Sequence, residues 1–270
     1  MLDSLFIVQL LISIGAVLCL SLITERAGPK LAGLISGLPI GTAIIFFFIG
    51  LQDGAAFASD AVIYNLAGLA AMQFMLFVYY RASMAFGKSL LAPAVLSVIG
   101  YLLAVLLLQA FALDRLEAVL VALLSIFLFT YLFREIRDSG IGEQVRVRPA
   151  VLLGRAVIAA AIILAVTGTA ALVGPKWSGL FSAFPTNVFP LILIIHHAYG
   201  VKPVHTIIRN FPTGLAATLA YSLTVSLAYQ PYGVYWGTVT AYAAAFLVCV
   251  LIYLLQKRKD SSPNLPADSS

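Results

Sequence analysis

Charge is what this sequence has least of. Asp, Glu, Lys and Arg make up 10% of its 270 residues, while 62% are hydrophobic; soluble domains average about 25% charged. Runs of roughly 20 apolar residues, enough to cross a hydrocarbon core about 30 Å thick, follow one another along nearly the whole chain. No room is left for a soluble domain, and the partner these runs imply is a lipid bilayer. Cysteine is scarce too: Cys19 and Cys249 both lie in apolar runs, so no disulfide framework is indicated. The eleven acidic residues, from Asp3 to Asp268, all map to run ends, loops or the tail. That lack of intramembrane carboxylates argues against proton, sodium and organic-cation carriers. HExxH, GxSxG, Walker and CxxC signatures are missing as well, so the reading is of a protein that is not an enzyme, with no cofactor and no metal. The net charge of +5 comes from residues flanking the runs, which is an orientation signal rather than a nucleic-acid footprint.

What is present reads as an all-α polytopic membrane protein with nine spans, near residues 5–24, 31–51, 60–80, 90–111, 116–133, 150–172, 177–198, 206–228 and 234–256. Helices follow because a lipid-exposed backbone must satisfy its own hydrogen bonds. The first segment lacks the basic stretch of a secretory signal and carries Asp3, so it reads as a retained span. Of sixteen Lys and Arg residues, all but Arg115 and Lys176 collect on one side. This predicts an inner-membrane protein with its amino terminus outside and its carboxyl terminus in the cytoplasm. The tail, residues 258–270, is polar, rich in Pro and Ser, and expected to be disordered.

Two stretches repeat. "GPKLAGLISGLPIG" at Gly28–Gly41 and "GPKWSGLFSAFPTN" at Gly174–Asn187 agree at seven of fourteen positions, and at the same offset of 146 "GLAA" recurs at Gly68–Ala71 and Gly214–Ala217. The chain therefore divides into a first four-helix repeat (1–112), a linker helix and cytoplasmic loop (113–149) and a second four-helix repeat (150–257). The unpaired linker span turns the second unit upside down relative to the first. Inverted repeats are a recurring plan of secondary transporters.

Within each repeat the Pro/Gly motif interrupts a helix that ought to be smooth. Pro39 and Pro185 each lie nine residues beyond a flanking lysine, about 13–14 Å along a helix, which is close to mid-depth. Each proline removes an amide, so the carbonyls of Ile35 and Phe181 are expected to be free. A half-helix starting there directs its positive end at the break, favouring an anion or a carbonyl oxygen. The predicted solute-binding residues are Ser36, Pro39 and Thr42 in one repeat and Ser182, Pro185, Thr186 and Asn187 in the other. His196 and His197, near the cytoplasmic end of span seven, are candidates for gating or proton relay, although an interfacial position explains them as well. Arg155 reads as a snorkelling residue, and Lys202, His205 and Arg209 as headgroup anchors. Asn65 and Gln73 suggest hydrogen bonds between packed helices.

The stretch "SGLFSAFPTNVFPLILIIHHAYG", Ser178–Gly200, resembles the small four-span bacterial GlpM-like membrane proteins through Gly179, Leu180, Phe184, Pro185, Thr186 and His196 or His197. The first repeat departs from that pattern, having Leu38, Pro39 and Ile40. The resemblance implies two such units fused in opposite orientation and brings no substrate with it. Together these features point to a secondary transporter or channel for a small neutral or anionic solute, acting between spans two and seven, with a homo-oligomer allowed. The alternative is a non-transporting scaffold or accessory protein.

Overall fold

Helix is the only regular structure among the described residues, as a chain this apolar requires. The computed structural model describes residues 2–87, 89–137 and 149–260; the described side chains exclude 2–6, 21, 24–30, 149–152, 155 and 255–260. The expectations for the disordered tail beyond Asp260, for the loop 138–148 and for the Arg155 side chain lie outside them. Nine elements follow in order: α1 (Leu2–Ser36), α2 (Ile40–Gln52), α3 (Ala55–Ala85), α4 (Leu91–Gln109), α5 (Arg115–Phe133), α6 (Pro149–Gly168), α7 (Ala170–Ser182), α8 (Val188–Tyr199) and α9 (Val201–Asp260). By length and composition five described helices can cross a membrane, or six when the bent pair α6–α7 counts as one. The chain has the make-up of a multi-pass membrane protein.

The long elements are not straight rods. Gly233 has φ +72 inside α9, a conformation open to glycine at little cost, and the chain reverses there. The Tyr221 and Tyr242 rings lie 5.1 Å apart, and Tyr229 Oη and Thr238 Oγ1 are 2.8 Å apart; 21 residues of straight helix would separate the rings by about 30 Å. Gly174, with φ +81, breaks α7 in the same way, and α6 and α7 meet at 119°. In α1 the chain also doubles back before Leu31, because Gln52 Nε2 reaches Gln9 Oε1 at 3.4 Å. A straight α1 would hold those groups tens of ångströms apart.

Burial sorts the helices into inner and outer. The most apolar window of α3 is 67% buried, whereas those of α4 and α5 are 28% buried. The central position of α3 follows from its contacts with α2, α4, α5, α7 and α9. α4 and α5 turn Leu91, Leu103, Leu124 and Phe127 outward, where lipid is the natural cover. α5 starts sharply because Asp114 and Glu117 form a capping box: Glu117 N donates to Asp114 Oδ1 and Asp114 N to Glu117 Oε2.

Small residues set the closest approaches. A Cβ on Gly179 would fall on the Ala61 carbonyl of α3, and one on Gly33 on the Ile207 carbonyl of α9. Gly214 of α9 likewise lies against Leu34 and Gly37. With lipid as apolar as the side chains, such close packing is what holds membrane helices together.

Candidate functional site

The two proline motifs form the two breaks α1–α2 and α7–α8. α1 ends at Ser36, a turn carries the chain through Gly37 to Pro39, and α2 starts at Ile40; α7 ends at Ser182, and Ala183–Asn187 lead into α8. Proline withholds the amide a continuous helix needs, but the carbonyls expected to be free are not. Leu38 N donates to Ile35 O at 3.1 Å, and Phe184 N to Phe181 O at 3.0 Å. The amide three residues on replaces the missing one, as helix ends commonly arrange. Gly37 N similarly bonds Leu34 O and Ala183 N bonds Leu180 O, while Gly37 O accepts from Thr218 Oγ1 at 2.6 Å.

The breaks abut each other. A Cβ on Gly41 would lie 2.6 Å from Thr186 Oγ1 and 3.6 Å from Asn187 Nδ2. Between them is a cavity of about 20 Å³ lined by Ser36, Thr42, Pro185, Thr186 and Asn187, with Met72 of α3 and Phe211, Leu215 and Thr218 of α9. Ser36 is 5% exposed and its Oγ has no hydrogen-bond partner among the described residues. Pro39 is buried as the residue before α2 but is not among those lining the cavity. Ser182 also turns elsewhere: its Oγ donates to Gly179 O at 2.7 Å and accepts from Asn65 Nδ2 at 2.8 Å.

Asn65 is the residue whose place the sequence did not reveal. Fully buried on α3, it also accepts from Ser222 Oγ of α9 at 3.0 Å, so one side chain ties three helices behind the breaks. Gln73 plays a lesser part, donating to Ser125 Oγ of α5 at 2.8 Å. Nothing in a lone Asn within an apolar run names its partner helix.

The histidines separate. His197 is exposed. His196 is buried, with Nδ1 2.8 Å from Tyr79 Oη and Nε2 3.4 Å from the Gly87 carbonyl. Since only Nε2–H can serve a carbonyl, Nδ1 accepts from the tyrosine. His205 is half-buried, and its Nε2 is 2.8 Å from Ser83 Oγ, which itself donates to Tyr80 O. Arg209 reaches the Ile136 carbonyl at 2.5 Å. This cluster is distinct from the cavity.

No charged side chain among the described residues lines the cavity. Leu38 separates it from an apolar crevice of about 230 Å³ beside Cys249 and Tyr253, and Phe184 from another of about 360 Å³ beside Tyr101 and Ile162. At the far end of α2, burial raises the carboxyl of Asp53 above its ordinary value. No family model, no curated protein and no solved structure matches the chain.

Proposed function

We propose that this chain is an inner-membrane transporter or channel for a small neutral or anionic solute, with its site in the cavity between the two helix breaks. One observation carries the reading: two interrupted helices meet around a buried cavity with polar lining residues, in which Ser36 Oγ has no hydrogen-bond partner among the described residues. A buried hydroxyl left unsatisfied costs about 1–3 kcal/mol, and an intended ligand is a physical reason to keep one.

Recurrences at the offset of 146 support it. The left-handed glycines Gly54 and Gly200 are 146 positions apart, as are the turn bonds Leu38 N to Ile35 O and Phe184 N to Phe181 O. The close approaches follow the same offset: Gly33 on Ile207 corresponds to Gly179 on Ala61 with the halves exchanged, and Gly214 on Leu34 to Gly68 on Leu180. Under this reading α1, with its reversal, supplies two spans and α9 two more, for nine in all. The same reading puts the amino terminus outside, from the distribution of Lys and Arg, and takes the resemblance to GlpM-like proteins as that of two fused units. Two similar halves in opposite orientation offer two nearly equivalent states, one open to each side; the present 20 Å³ cavity is then an occluded one.

The test is solute flux in proteoliposomes across a panel of anions and small neutral metabolites. Uptake that saturates and is lost in Thr186→Ala supports the site; uptake unchanged by both Thr186→Ala and Asn187→Ala overturns it. The cavity's small volume favours the rival, a scaffold. It predicts no flux of any solute and a stable copurifying protein.

A further inference from the structure

Three of the helices that line the cavity are tied together again a short way beyond it. Met72 of α3, Val188 of α8 and Phe211 of α9 line the cavity. Further along the same helices stand Tyr79 and Ser83, His196, and His205 respectively, at intervals of roughly 9–17 Å. There Tyr79 Oη meets His196 Nδ1 at 2.8 Å, and Ser83 Oγ, one turn on, meets His205 Nε2 at 2.8 Å. The two histidines stand on either side of Gly200, whose φ of +79 turns α8 into α9. Leu76, Leu191 and Ile195, buried in one apolar cluster with Met72 and Tyr79, fill the interval between cavity and layer. Parting this layer is therefore what would open the cavity toward that end.

The bonds of the layer fix where its protons are. His196 gives Nε2–H to the Gly87 carbonyl and takes the Tyr79 proton at Nδ1. A proton added at Nδ1 makes Tyr79 Oη the acceptor and strands the hydroxyl hydrogen of a residue that is 0% exposed. Ser83 gives its proton to the Tyr80 carbonyl, so His205 donates from Nε2 and takes a second proton only at Nδ1. Two imidazolium rings would then face one stretch of α3, and like charges oppose each other. The titratable and charged groups around the pair are Tyr79 and Tyr80 of α3 and Arg209 of α9, which is drawn to the Ile136 carbonyl. His197, Lys202 and Glu135 are exposed, and no carboxylate among the described residues bonds either ring. The positions 146 away, Gly50, Ser59, Val225 and Tyr229, carry no imidazole. Gly50 packs there directly on the Val234 and Tyr229 side chains, so titration acts at one end only. We infer that the Tyr79–His196 and Ser83–His205 layer is a proton-released gate, closing the cavity at that end while the histidines are neutral and parting when they are protonated. This deepens the proposed transport site and rests on it for its purpose, though the opening itself can be measured without transport.

The sign follows from counting protons. A histidine in water titrates near 6.5, so below about that pH the open gate binds protons that the closed gate does not. The open-to-closed ratio then rises by up to about tenfold per pH unit for each histidine as pH falls. The experiment measures the spin–spin distance between labels at Met84→Cys and Lys202→Cys, exposed positions on α3 and α9. It uses the full chain in nanodiscs, with Cys19→Ser and Cys249→Ser so that only the introduced thiols are labelled. Expected is one distance at about pH 8 and a second, longer one that grows below about pH 6.5. Glutamine can serve both the Tyr79 hydroxyl and the Gly87 carbonyl without titrating, so His196→Gln with His205→Gln should keep the short distance throughout. If that double variant does not fold, Tyr79→Phe is read instead and should show more of the longer distance at every pH. An unchanged distance from about pH 8 to about pH 5 overturns the inference. So does a pH response that survives in the double variant, or a Tyr79→Phe profile identical to that of the parent. Acid opening without flux of any solute sinks the transport reading and keeps the gate; flux with a distance indifferent to pH does the reverse.

Discussion

Replacing Gly41 by alanine places one methyl group where the two helix breaks meet. Its Cβ would sit 2.6 Å from Thr186 Oγ1, whereas ordinary contact begins at 3.4 Å, so the threonine side chain must retreat by roughly 1 Å. Over-packing of this kind costs about 1–3 kcal/mol, and the gain from alanine over glycine within α2 returns about 0.5–1 kcal/mol. The net loss of stability is therefore about 0–2.5 kcal/mol, and Gly41→Ala should fold. The functional effect is far larger, because the methyl group takes up a space with room for one water-sized particle. Unfolding in mixed micelles gives the stability and vesicle flux gives function; the flux should disappear. Gly37→Ala is the contrast, since its Cβ would meet the Gly214 backbone at 2.7 Å. Backbone cannot rotate away, and that variant should not assemble. Gly41→Ala with wild-type flux would refute the assignment of the cavity.

Asn65→Ala removes two interhelical hydrogen bonds; at about 0.6 kcal/mol each in a membrane, with Ser222 losing its acceptor, stability should fall by about 1–2 kcal/mol, read from the unfolding midpoint in mixed micelles. Asp53 titrates higher in the folded protein than the ordinary 3.8 because burial disfavours its charge. The ionised carboxylate thus weakens the fold at neutral pH, and stability recovers as pH falls through the raised value. Asp53→Asn should therefore raise the melting temperature at pH 7, with the advantage shrinking toward pH 4.

The helical class was legible in composition, since 62% hydrophobic residues leave few alternatives to helices in lipid. The interruptions at Gly37–Pro39 and Ala183–Asn187 were legible as well, because proline's missing amide is a local property. What the break does with its carbonyls was not: the amide that replaces the lost one is decided by how tightly the turn closes, as at Leu38 and Phe184. Nor could the motif distinguish Ser36 from Ser182, which occupy equivalent positions in the two copies. They differ because Asn65 meets one, from 117 positions away, while Phe211 lines the cavity beside the other. Such differences depend on which helices become neighbours, and a single sequence does not record that.

The packing of α1 on α9 has a consequence for biosynthesis. Gly37 and the Thr218 hydroxyl that caps its carbonyl are 181 positions apart, and Gly33 waits for the Ile207 backbone over a similar span. At about 5–20 residues per second, a ribosome needs roughly 10–35 s to deliver the second partner after the first. During that interval the glycine face of α1 has no helix to receive it. The nascent chain must be sheltered by lipid or by the insertion machinery, and a stop anywhere before α9 leaves a product that is inserted and helical but cannot close its centre.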